Sequence, residues 1–417
     1  MEVDSIPQPA APSIEQIGSA DLLIGLLTDL SQDDLASTVA ALRALPGAPR
    51  IVVLQDHAAV QPPPAVPEAS DMPARDSSLF LVPWSPRNLG ATATPVESVS
   101  TAYESIFETG AKLDVRAFCL IASNLENAEP GWVSRLAQPL LEGFDLVAPC
   151  YARRRFEGLL NNSIVSPLTR SLYGKRIQNP MGPDLGISRR LYQDVLAADQ
   201  DAATTGNGMN LLARLAPVAC GDDFKVCQAY LGSRVYPPVD WTAVSSLLTE
   251  ILGPVFSAME KTAARWQQTR NSTPVLTFNE STPPLSQSGD TLEIARLVNS
   301  FQLGMRDLRE IWRLVLPPAT LFELQKISPD KFRIPDELWA KIIYDFALAH
   351  RLRTINRTHL LRSLAPLYLG WVASYAREFE NADPRALARR LERLSLAYEA
   401  CKPYLISRWR WPDRFNP

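Results

Sequence analysis

The chain has 417 residues, a length that predicts about two domains. Apolar residues make up 46% of it, charged residues make up 21%, and the formal net charge is -3. This balance gives no electrostatic case for binding nucleic acid or an anionic membrane. No apolar run approaches the roughly 20 residues of a membrane span. The polar, proline-containing stretch 1–18 lacks the apolar centre of a signal peptide and predicts a disordered tail.

Cysteines and histidines indicate neither a disulfide framework nor a thiolate zinc site. The five cysteines are scattered and contain no C-x-x-C pair, which predicts reduced thiols in a cytoplasmic protein. His57, His350 and His359 lie far apart in the sequence, and the last two fall in helical patterns where a structural role is expected. No P-loop, G-x-G-x-x-G, H-E-x-x-H or G-x-S-x-G motif is present.

From residue 21 onward, apolar patterns predict alternating strands and helices. The continuous apolar runs at 21–27 and 50–54 are typical of strands buried on both faces, and the stretch 31–45 between them carries a helical apolar stripe. Strand, helix and strand in this order predict a parallel βαβ unit. The same criteria predict further strands at 79–82, 115–121, 145–149 and 224–231, and helices at 97–113, from near Pro130, at 165–173, at 189–197, at 209–215 and at 244–266.

The stretch after residue 290 has only helical patterns. Ile294, Leu297 and Phe301 follow the spacing of one helix face, and Asp336 is expected to cap a later helix. The preceding stretch 269–290 is rich in proline, serine and threonine and predicts a linker. The predicted organisation is a disordered tail (1–18), an α/β domain (19–255), a helix and linker (256–289) and an all-α domain (290–417).

The stretch from Cys119 to Ser188 carries a strand, a turn, a second strand, a basic loop and a glycine-containing turn. Its landmarks are Ala122-Ser123-Asn124-Leu125, Tyr151-Ala152-Arg153-Arg154-Arg155-Phe156-Glu157-Gly158 and the turn Asn179-Pro180-Met181-Gly182-Pro183-Asp184-Leu185-Gly186-Ile187-Ser188. This layout resembles bacterial GT-A fold, family 2-like glycosyltransferases related to mannosylglycerate and glucosyl-3-phosphoglycerate synthases. The segments 316–320, 344–348, 352–357, 366–371 and 402–415 also look like that family. The resemblance implies an α/β, Rossmann-like GT-A domain that binds a nucleotide sugar, followed by an all-α C-terminal domain.

The resemblance also implies where substrates bind. Open α/β sheets bind ligands at the carboxyl ends of their strands. The implied nucleotide-sugar-binding residues are Thr28, Asp56, Ser123, Asn124, Arg153, Arg155 and Gly182, and the implied catalytic positions are Asp184 and Asn210. The arginines suit phosphate or carboxylate groups, although the same residues also fit a solvated basic loop. Gly182 and Gly186 would allow the backbone to approach a sugar closely.

A divalent metal, Mg or Mn, is the cofactor that the resemblance implies. Hard cations prefer carboxylate oxygens and neutralise a diphosphate leaving group, and the family holds its metal with an Asp-x-Asp turn. The family's metal positions are occupied here by Ala122, Asn124 and Tyr236, and Asn210 replaces a further aspartate. These substitutions remove charge or metal ligands. They predict that the metal site is lost or rebuilt, and a simple strand-end turn is the plain alternative.

Two functions are compatible with these residues. The family function is transfer of a sugar from a nucleotide diphosphate donor to a small acceptor of the glycerate or phosphoglycerate type, with retained configuration. The alternative is a catalytically inactive pseudo-glycosyltransferase that acts as a binding or scaffolding subunit, which the substitutions favour. The expected partners are a nucleotide sugar and a small acceptor, no nucleic acid, and either a second copy of the chain or an active paralogue.

Overall fold

A computed structural model of the chain describes most of its residues. The described ranges are 14–27, 32–56, 79–84, 95–122, 125–126, 131–152, 155–197, 208–221, 223–234, 240–279, 292–328, 332–379 and 384–412. Within them, no helix is long and apolar enough to cross a membrane.

Strands and helices alternate through the first two thirds of the chain. The strands are β1 (Leu22–Leu26), β2 (Ile51–Asp56), β3 (Leu79–Trp84), β4 (Ala117–Ile121), β5 (Leu125–Glu126), β6 (Leu146–Ala152), β7 (Lys175–Arg176), β8 (Leu185–Ser188), β9 (Val226–Arg234), β10 (Thr273–Pro274) and β11 (Leu276–Phe278). The helices of this part are α1 (Ile14–Ile17), α2 (Gln32–Arg43), α3 (Pro95–Lys112), α4 (Ser134–Leu141), α5 (Ser166–Tyr173), α6 (Arg189–Ala197), α7 (Gly208–Ala219), α8 (Val244–Lys261) and α9 (Ala263–Trp266), and a π-helical turn, Asn161–Val165, precedes α5.

The remainder of the described chain is helical. It forms α10 (Ile294–Asp307), α11 (Arg309–Arg313), α12 (Pro318–Gln325), α13 (Asp336–Leu352), α14 (Arg357–Ser363), α15 (Ala365–Phe379) and α16 (Pro384–Arg410). The predicted fold class, an α/β domain followed by an all-α region, is therefore confirmed.

Nine of the described strands form one mixed sheet. Eight follow the order β11-β9-β6-β8-β4-β1-β2-β3, and β5 pairs with β9 beside this path. β1 pairs in parallel with both β2 and β4, whereas β8 runs antiparallel to β4 and β6. The chain thus moves outward from β1 to β3 and then returns to the other side of β1. The point between β1 and β4 is the topological switch of the sheet.

Helices cover both faces of the central strands, which explains their continuous apolar sequences. β1 and β4 are buried along their whole length. Tyr103, Ile106 and Phe107 of α3, at the i, i+3, i+4 spacing of one helix face, are buried against one side. Gly25 of β1 is required here, because a Cβ at this position would overlap the side chain of Ile106.

The helical region shares a hydrophobic core with the α/β part. The Trp339 indole Nε1 of α13 donates a hydrogen bond to the Ser163 carbonyl in the π-helical turn (3.1 Å), and the Tyr398 hydroxyl of α16 donates to the same oxygen (2.8 Å). The predicted boundary between domains 19–255 and 290–417 stays a prediction. The hydrogen bonds of Trp339 and Tyr398 to the Ser163 carbonyl cross it directly.

Buried charges join α5 to α16. The Arg170 guanidinium donates to Glu392 (2.6 Å) and to Glu399 (2.9 Å). The Lys402 ammonium donates to the Ser171 carbonyl (2.7 Å) and to the Thr269 carbonyl (2.6 Å). A lysine that binds carbonyl oxygens at the C-terminal end of a helix complements the negative end of the helix dipole. These contacts fix α16 against the sheet domain.

Some of the sequence predictions are wrong in detail. The disordered tail predicted over 1–18 overlaps α1, whose Ile17 is buried and accepts a hydrogen bond from the Arg50 guanidinium (2.8 Å). The predicted linker 269–290 contains β10 and β11, because β11 extends the sheet beside β9 and its Phe278 packs edge-on against Phe144 (5.4 Å between ring centroids).

Two further corrections concern helix starts. α4 begins at Ser134 rather than near Pro130, which lies outside the described residues. Asp336 does not cap α13, since its carboxylate pairs with the Arg390 guanidinium of α16 (2.6 Å). The strands and helices predicted between residues 21 and 266 are otherwise confirmed, with bounds that shift by a few residues. The turn predicted over 179–188 is wrong at its end, because Leu185–Ser188 pairs with both β4 and β6 and forms β8.

Because His350 is buried, we expect the protein to become less stable at low pH. It lies in the last turn of α13, with its ring 5.8 Å from that of Phe256, and burial together with Arg357 and Arg353 lowers its pKa to about 4. An unfolded histidine binds its proton near pH 6.5. The free energy of unfolding therefore decreases as the pH falls from 6.5 towards 4. We expect this histidine to lower it by about 1–2 kcal/mol at pH 5.

We expect His350→Leu to reduce the loss of unfolding free energy between pH 7.5 and pH 5 in urea titrations. The exposed His359 provides the matched control, and His359→Gln should leave the pH dependence of the parent chain unchanged. Equal pH dependence in all three proteins would show that His350 does not titrate in this range.

Removal of the helical region should expose the apolar faces of α5 and α8. We expect a fragment of residues 19–288 to be insoluble or to melt without cooperativity, because these faces form a core with α13 to α16 in the full chain. Expression beside the full chain, followed by thermal melting, measures this. A soluble fragment with a sharp transition would instead show two independent folding units.

Candidate functional site

The carboxyl ends of β1 and β4 lie side by side at the topological switch. Leu26 pairs with Ile121, and the Leu27 amide donates to the Ile121 carbonyl (2.7 Å). The connections from these two strands lead to opposite sides, and open α/β sheets bind ligands outside the ends of such a strand pair. The described residue that follows β4 is Ala122. Thr28, Ser123 and Asn124, which were predicted to bind the nucleotide sugar, lie outside the described residues.

Asp184 connects the end of β4 to the end of β6. It immediately precedes β8, which lies between these strands, and it is fully buried. Its Oδ1 accepts a hydrogen bond from the Ala122 amide (2.8 Å), and its Oδ2 accepts a short hydrogen bond from the Tyr151 hydroxyl. A buried carboxylate is stable only when donors satisfy its oxygens. Asp184 thus lies beside Ala122 at the end of β4, and its contacts hold Ala122 in place. The catalytic role implied for Asp184 stays a prediction.

Tyr103 of α3 holds the loop that carries Asp184. Its hydroxyl donates a short hydrogen bond to the Pro183 carbonyl. Burial raises the pKa of Tyr103 well above its usual value, and the negative charge of Asp184 adds to this, while the positive charge of Arg234 opposes it. The phenol therefore stays protonated and acts as a hydrogen-bond donor. The loop before β8 is fixed from two sides, by α3 and by β6.

Arg234 is a functional candidate that the sequence prediction did not select. It is the last residue of β9 and pairs with Leu125 of β5, the strand that directly follows the turn after β4. Its guanidinium carbon lies 5.9 Å from the centre of the Tyr151 ring, within the range of a cation–π contact. A fixed cation therefore stands at the same edge as Asp184 and Ala122. It lies three residues beyond the predicted strand 224–231, and this closeness to a strand end was the available signal.

Gly182 and Gly186 pack closely against neighbouring elements, and their predicted approach to a sugar stays a prediction. A Cβ on Gly182 would overlap the ring of Pro149. A Cβ on Gly186 would lie 2.9 Å from a Leu140 methyl of α4 and 3.1 Å from the Val147 Cβ of β6. Neither glycine requires a left-handed conformation. The close approach that these glycines allow is that of strands, a proline and a helix.

Buried amides support the end of β6. The Asn179 Nδ2 donates to the Pro149 carbonyl (3.0 Å), and the Tyr151 amide donates to the Gln178 Oε1 (3.1 Å). The Asn161 Nδ2 of the π-helical turn donates to the Asn179 Oδ1 (3.0 Å). Single-turn π-helices are frequent at functional sites. This network was missed by sequence reasoning because asparagine and glutamine carry no distinctive spacing.

The basic loop after β6 is anchored to the helical region. Arg153 and Arg154 lie outside the described residues. The Arg155 carbonyl accepts a hydrogen bond from the buried Tyr375 hydroxyl of α15 (3.1 Å), and the Arg155 guanidinium lies 5.8 Å from the Phe156 ring centre. Arg155 is thus held near the carboxyl end of β6, where an anionic substrate group could reach it.

The other predicted positions are described only in part. Asp56 ends β2 as expected, and Asn210 lies in the first turn of α7, but the side chains of both are outside the described set. Tyr236 lies two residues beyond the described end of β9. The structure therefore brings Ala122, Asp184 and Gly182 together and leaves the remaining assignments as predictions.

The described residues do not fit a metal ion at this edge. Ala122 has no ligand atom, and both oxygens of Asp184 accept hydrogen bonds from within the chain. No group of three or more histidine, cysteine, aspartate or glutamate side chains in the described ranges could hold a metal. A divalent cation needs several oxygen ligands at once. The described residues bring together no such set of side chains.

No protein-family model matches the chain, and no curated protein matches it. Solved structures similar to it include glucosyl-3-phosphoglycerate synthase from Mycobacterium tuberculosis in complex with Mn²⁺, uridine-diphosphate-glucose and phosphoglyceric acid, at 17% identity over 68% of this chain and 94% of that chain, with a TM-score of 0.34. Another is mannosyl-3-phosphoglycerate synthase from Rubrobacter xylanophilus, at 14% identity over 60% of this chain and 77% of that chain, with a TM-score of 0.38.

These structural neighbours are GT-A fold glycosyltransferases, the group that the sequence motifs resemble. A further structure of the Mycobacterium tuberculosis synthase holds Mg²⁺ and uridine-diphosphate, at 15% identity over 60% of this chain and 84% of that chain, with a TM-score of 0.32. Likeness at these TM-scores says nothing about what this chain does.

Loss of the Asp184 carboxylate should destabilise the fold. We expect Asp184→Ala to lower the free energy of unfolding by about 2–4 kcal/mol, because it leaves the Ala122 amide and the Tyr151 hydroxyl without an acceptor. Tyr151→Phe should cost about 1.5–3 kcal/mol, because it removes one hydrogen-bond donor to a buried carboxylate. Urea titrations measure both. Asp194→Ala, at an exposed aspartate of α6, is the control and should change stability little, and parent-like unfolding of Asp184→Ala would contradict this role.

Proposed function

We propose that this chain binds a nucleoside diphosphate sugar at the carboxyl edge of its sheet, and that this binding does not depend on a divalent cation. The position of the topological switch between β1 and β4 supports the ligand site. The observation that carries the metal-independent part is the internal engagement of both Asp184 oxygens beside Ala122.

The second part of the proposal concerns the reaction. The family that the motifs resemble transfers a sugar from a nucleotide diphosphate to a small acceptor of the glycerate or phosphoglycerate type, with retention. Arg155, fixed by Tyr375 near the end of β6, is the described residue best suited to an acceptor carboxylate or phosphate. We assign the acceptor side of the site to this part of the edge.

A binding or scaffolding role without sugar transfer is the second candidate, and the described residues support it better than metal-dependent transfer. Cleavage of the sugar–phosphate bond adds negative charge to the diphosphate, and this charge must be neutralised. Ala122 cannot hold a neutralising metal, and Asp184 is committed to holding the turn. A homo-oligomer or an active paralogue is the proposed context for such a subunit.

Titration calorimetry in chelator and in manganese tests the proposal. We expect uridine or guanosine diphosphate to bind in EDTA, and we expect added Mn²⁺ to change the Kd by less than about threefold, since the carboxylate ligands of a hard cation are missing. A large gain in affinity with Mn²⁺ would show that other residues rebuild the metal site. Absence of binding in both buffers would remove the proposed function itself.

A further inference from the structure

We propose that Arg234 provides the fixed positive charge that holds the diphosphate of the ligand, in place of a divalent cation. This inference rests on the proposed function, because it names the group that would recognise the diphosphate at the same edge. Three features of the described structure support it: a β-bulge in β9, the contact of Arg234 with Tyr151, and the pairing of Arg234 with β5.

A β-bulge decides which face of the sheet Arg234 occupies. In the parallel pairing of β6 with β9, Cys150 pairs with Tyr230, but the next residue, Tyr151, pairs with Gly232, so Leu231 is an extra residue in β9. Side chains alternate between faces, so one extra residue reverses the face of every residue that follows it. Arg234, two residues beyond Gly232, therefore lies on the Tyr151 face. Bulges commonly re-aim a side chain beside a functional site.

The backbone conformation at position 232 favours glycine. Its φ is +95°, a value that other residues rarely adopt, whereas a Cβ at this position would meet no atom within 4 Å. Space around it is thus not the constraint, in contrast to Gly182 and Gly186. The glycine maintains the bulge, and the bulge places the guanidinium at the carboxyl edge.

Contacts tie the position of Arg234 to the turn after β4. The guanidinium lies 5.9 Å from the Tyr151 ring centre, and the Tyr151 hydroxyl donates to Asp184, which accepts from the Ala122 amide. On its other side, Arg234 pairs with Leu125, three residues after Ala122. The cation is therefore connected from two directions to the residue that occupies a family metal position.

The chemistry of a guanidinium suits this task. Its planar fork donates two parallel hydrogen bonds to phosphate oxygens, and it stays charged at every physiological pH. It needs no set of carboxylate ligands, so Ala122 is compatible with it. A guanidinium fixed by the backbone of a strand can hold the charge of a diphosphate in EDTA.

The test compares Arg234→Gln with Arg116→Gln in EDTA. Arg116 lies just before β4 at the opposite edge of the sheet, with its side chain 79% exposed, and its replacement should leave binding unchanged. Arg234→Gln should weaken the binding of UDP or GDP, whichever the parent chain binds, by about tenfold to one hundredfold, the range for a hydrogen bond to a charged group. The corresponding monophosphate should lose much less, because it lacks the β-phosphate.

Each outcome of this calorimetric series decides one point. Collapse of the diphosphate-to-monophosphate affinity ratio in Arg234→Gln alone supports the proposal. Parent-like binding by Arg234→Gln, equal weakening of both nucleotides, or diphosphate binding by the parent only with Mn²⁺ would overturn it. A parent chain that binds neither diphosphate in either buffer refutes the proposed function, which is a separate result.

Arg234→Lys guards against misfolding of the glutamine variant. Lysine keeps the charge and loses the planar fork, so we expect it to retain the parent melting temperature and an intermediate diphosphate affinity. If Arg234→Gln does not fold, Arg234→Lys decides the question. A diphosphate affinity equal to that of the parent overturns the proposal of a bidentate contact. A reduced diphosphate affinity with unchanged monophosphate binding supports it.

Discussion

A buried carboxylate must have its oxygens satisfied, and in this protein that requirement shapes the whole carboxyl edge of the sheet. Asp184 is fully buried and accepts hydrogen bonds from the Ala122 amide and the Tyr151 hydroxyl. These two donors belong to the ends of different strands, and β8 runs between them. This side chain therefore adds to the backbone ladders that join β8 to β4 and β6, and loss of either donor leaves one buried carboxylate oxygen without that hydrogen bond.

The need to satisfy the Asp184 oxygens also distinguishes this end of the sheet from a site that binds a metal through carboxylates. A metal ligand needs oxygen lone pairs that face the cation, whereas the oxygens of Asp184 face donors of the chain. Positive charge at this edge instead comes from a side chain, Arg234, whose strand carries a bulge. A fixed guanidinium and a bound cation both neutralise phosphate, but only the cation requires acidic residues around it. The substitution at Ala122 is consistent with that difference.

Sequence patterns predicted the central strands because β1 and β4 are buried on both faces and read as unbroken apolar runs. They failed where tertiary contacts override local composition. The segment that includes Leu276 and Phe278 looks like a linker and becomes a strand because the edge of β9 offers unpaired backbone groups. Gly182 and Gly186 are predicted to approach a ligand. Sequence alone does not show which neighbouring atoms lie where a Cβ of either glycine would be. Arg234 was overlooked since the bulge that places it is a property of strand register.

The helical region is part of the site rather than an appendage. The core that α13 to α16 share with α5 and α8 fixes the π-helical turn through Trp339 and Tyr398, and that turn holds Asn179 through Asn161. Asn179 in turn supports the end of β6, the strand that leads to the basic loop. Tyr375 of α15 contacts that loop directly. Because both routes converge on the end of β6, packing in the helical region supports the positions of Asn179 and Arg155.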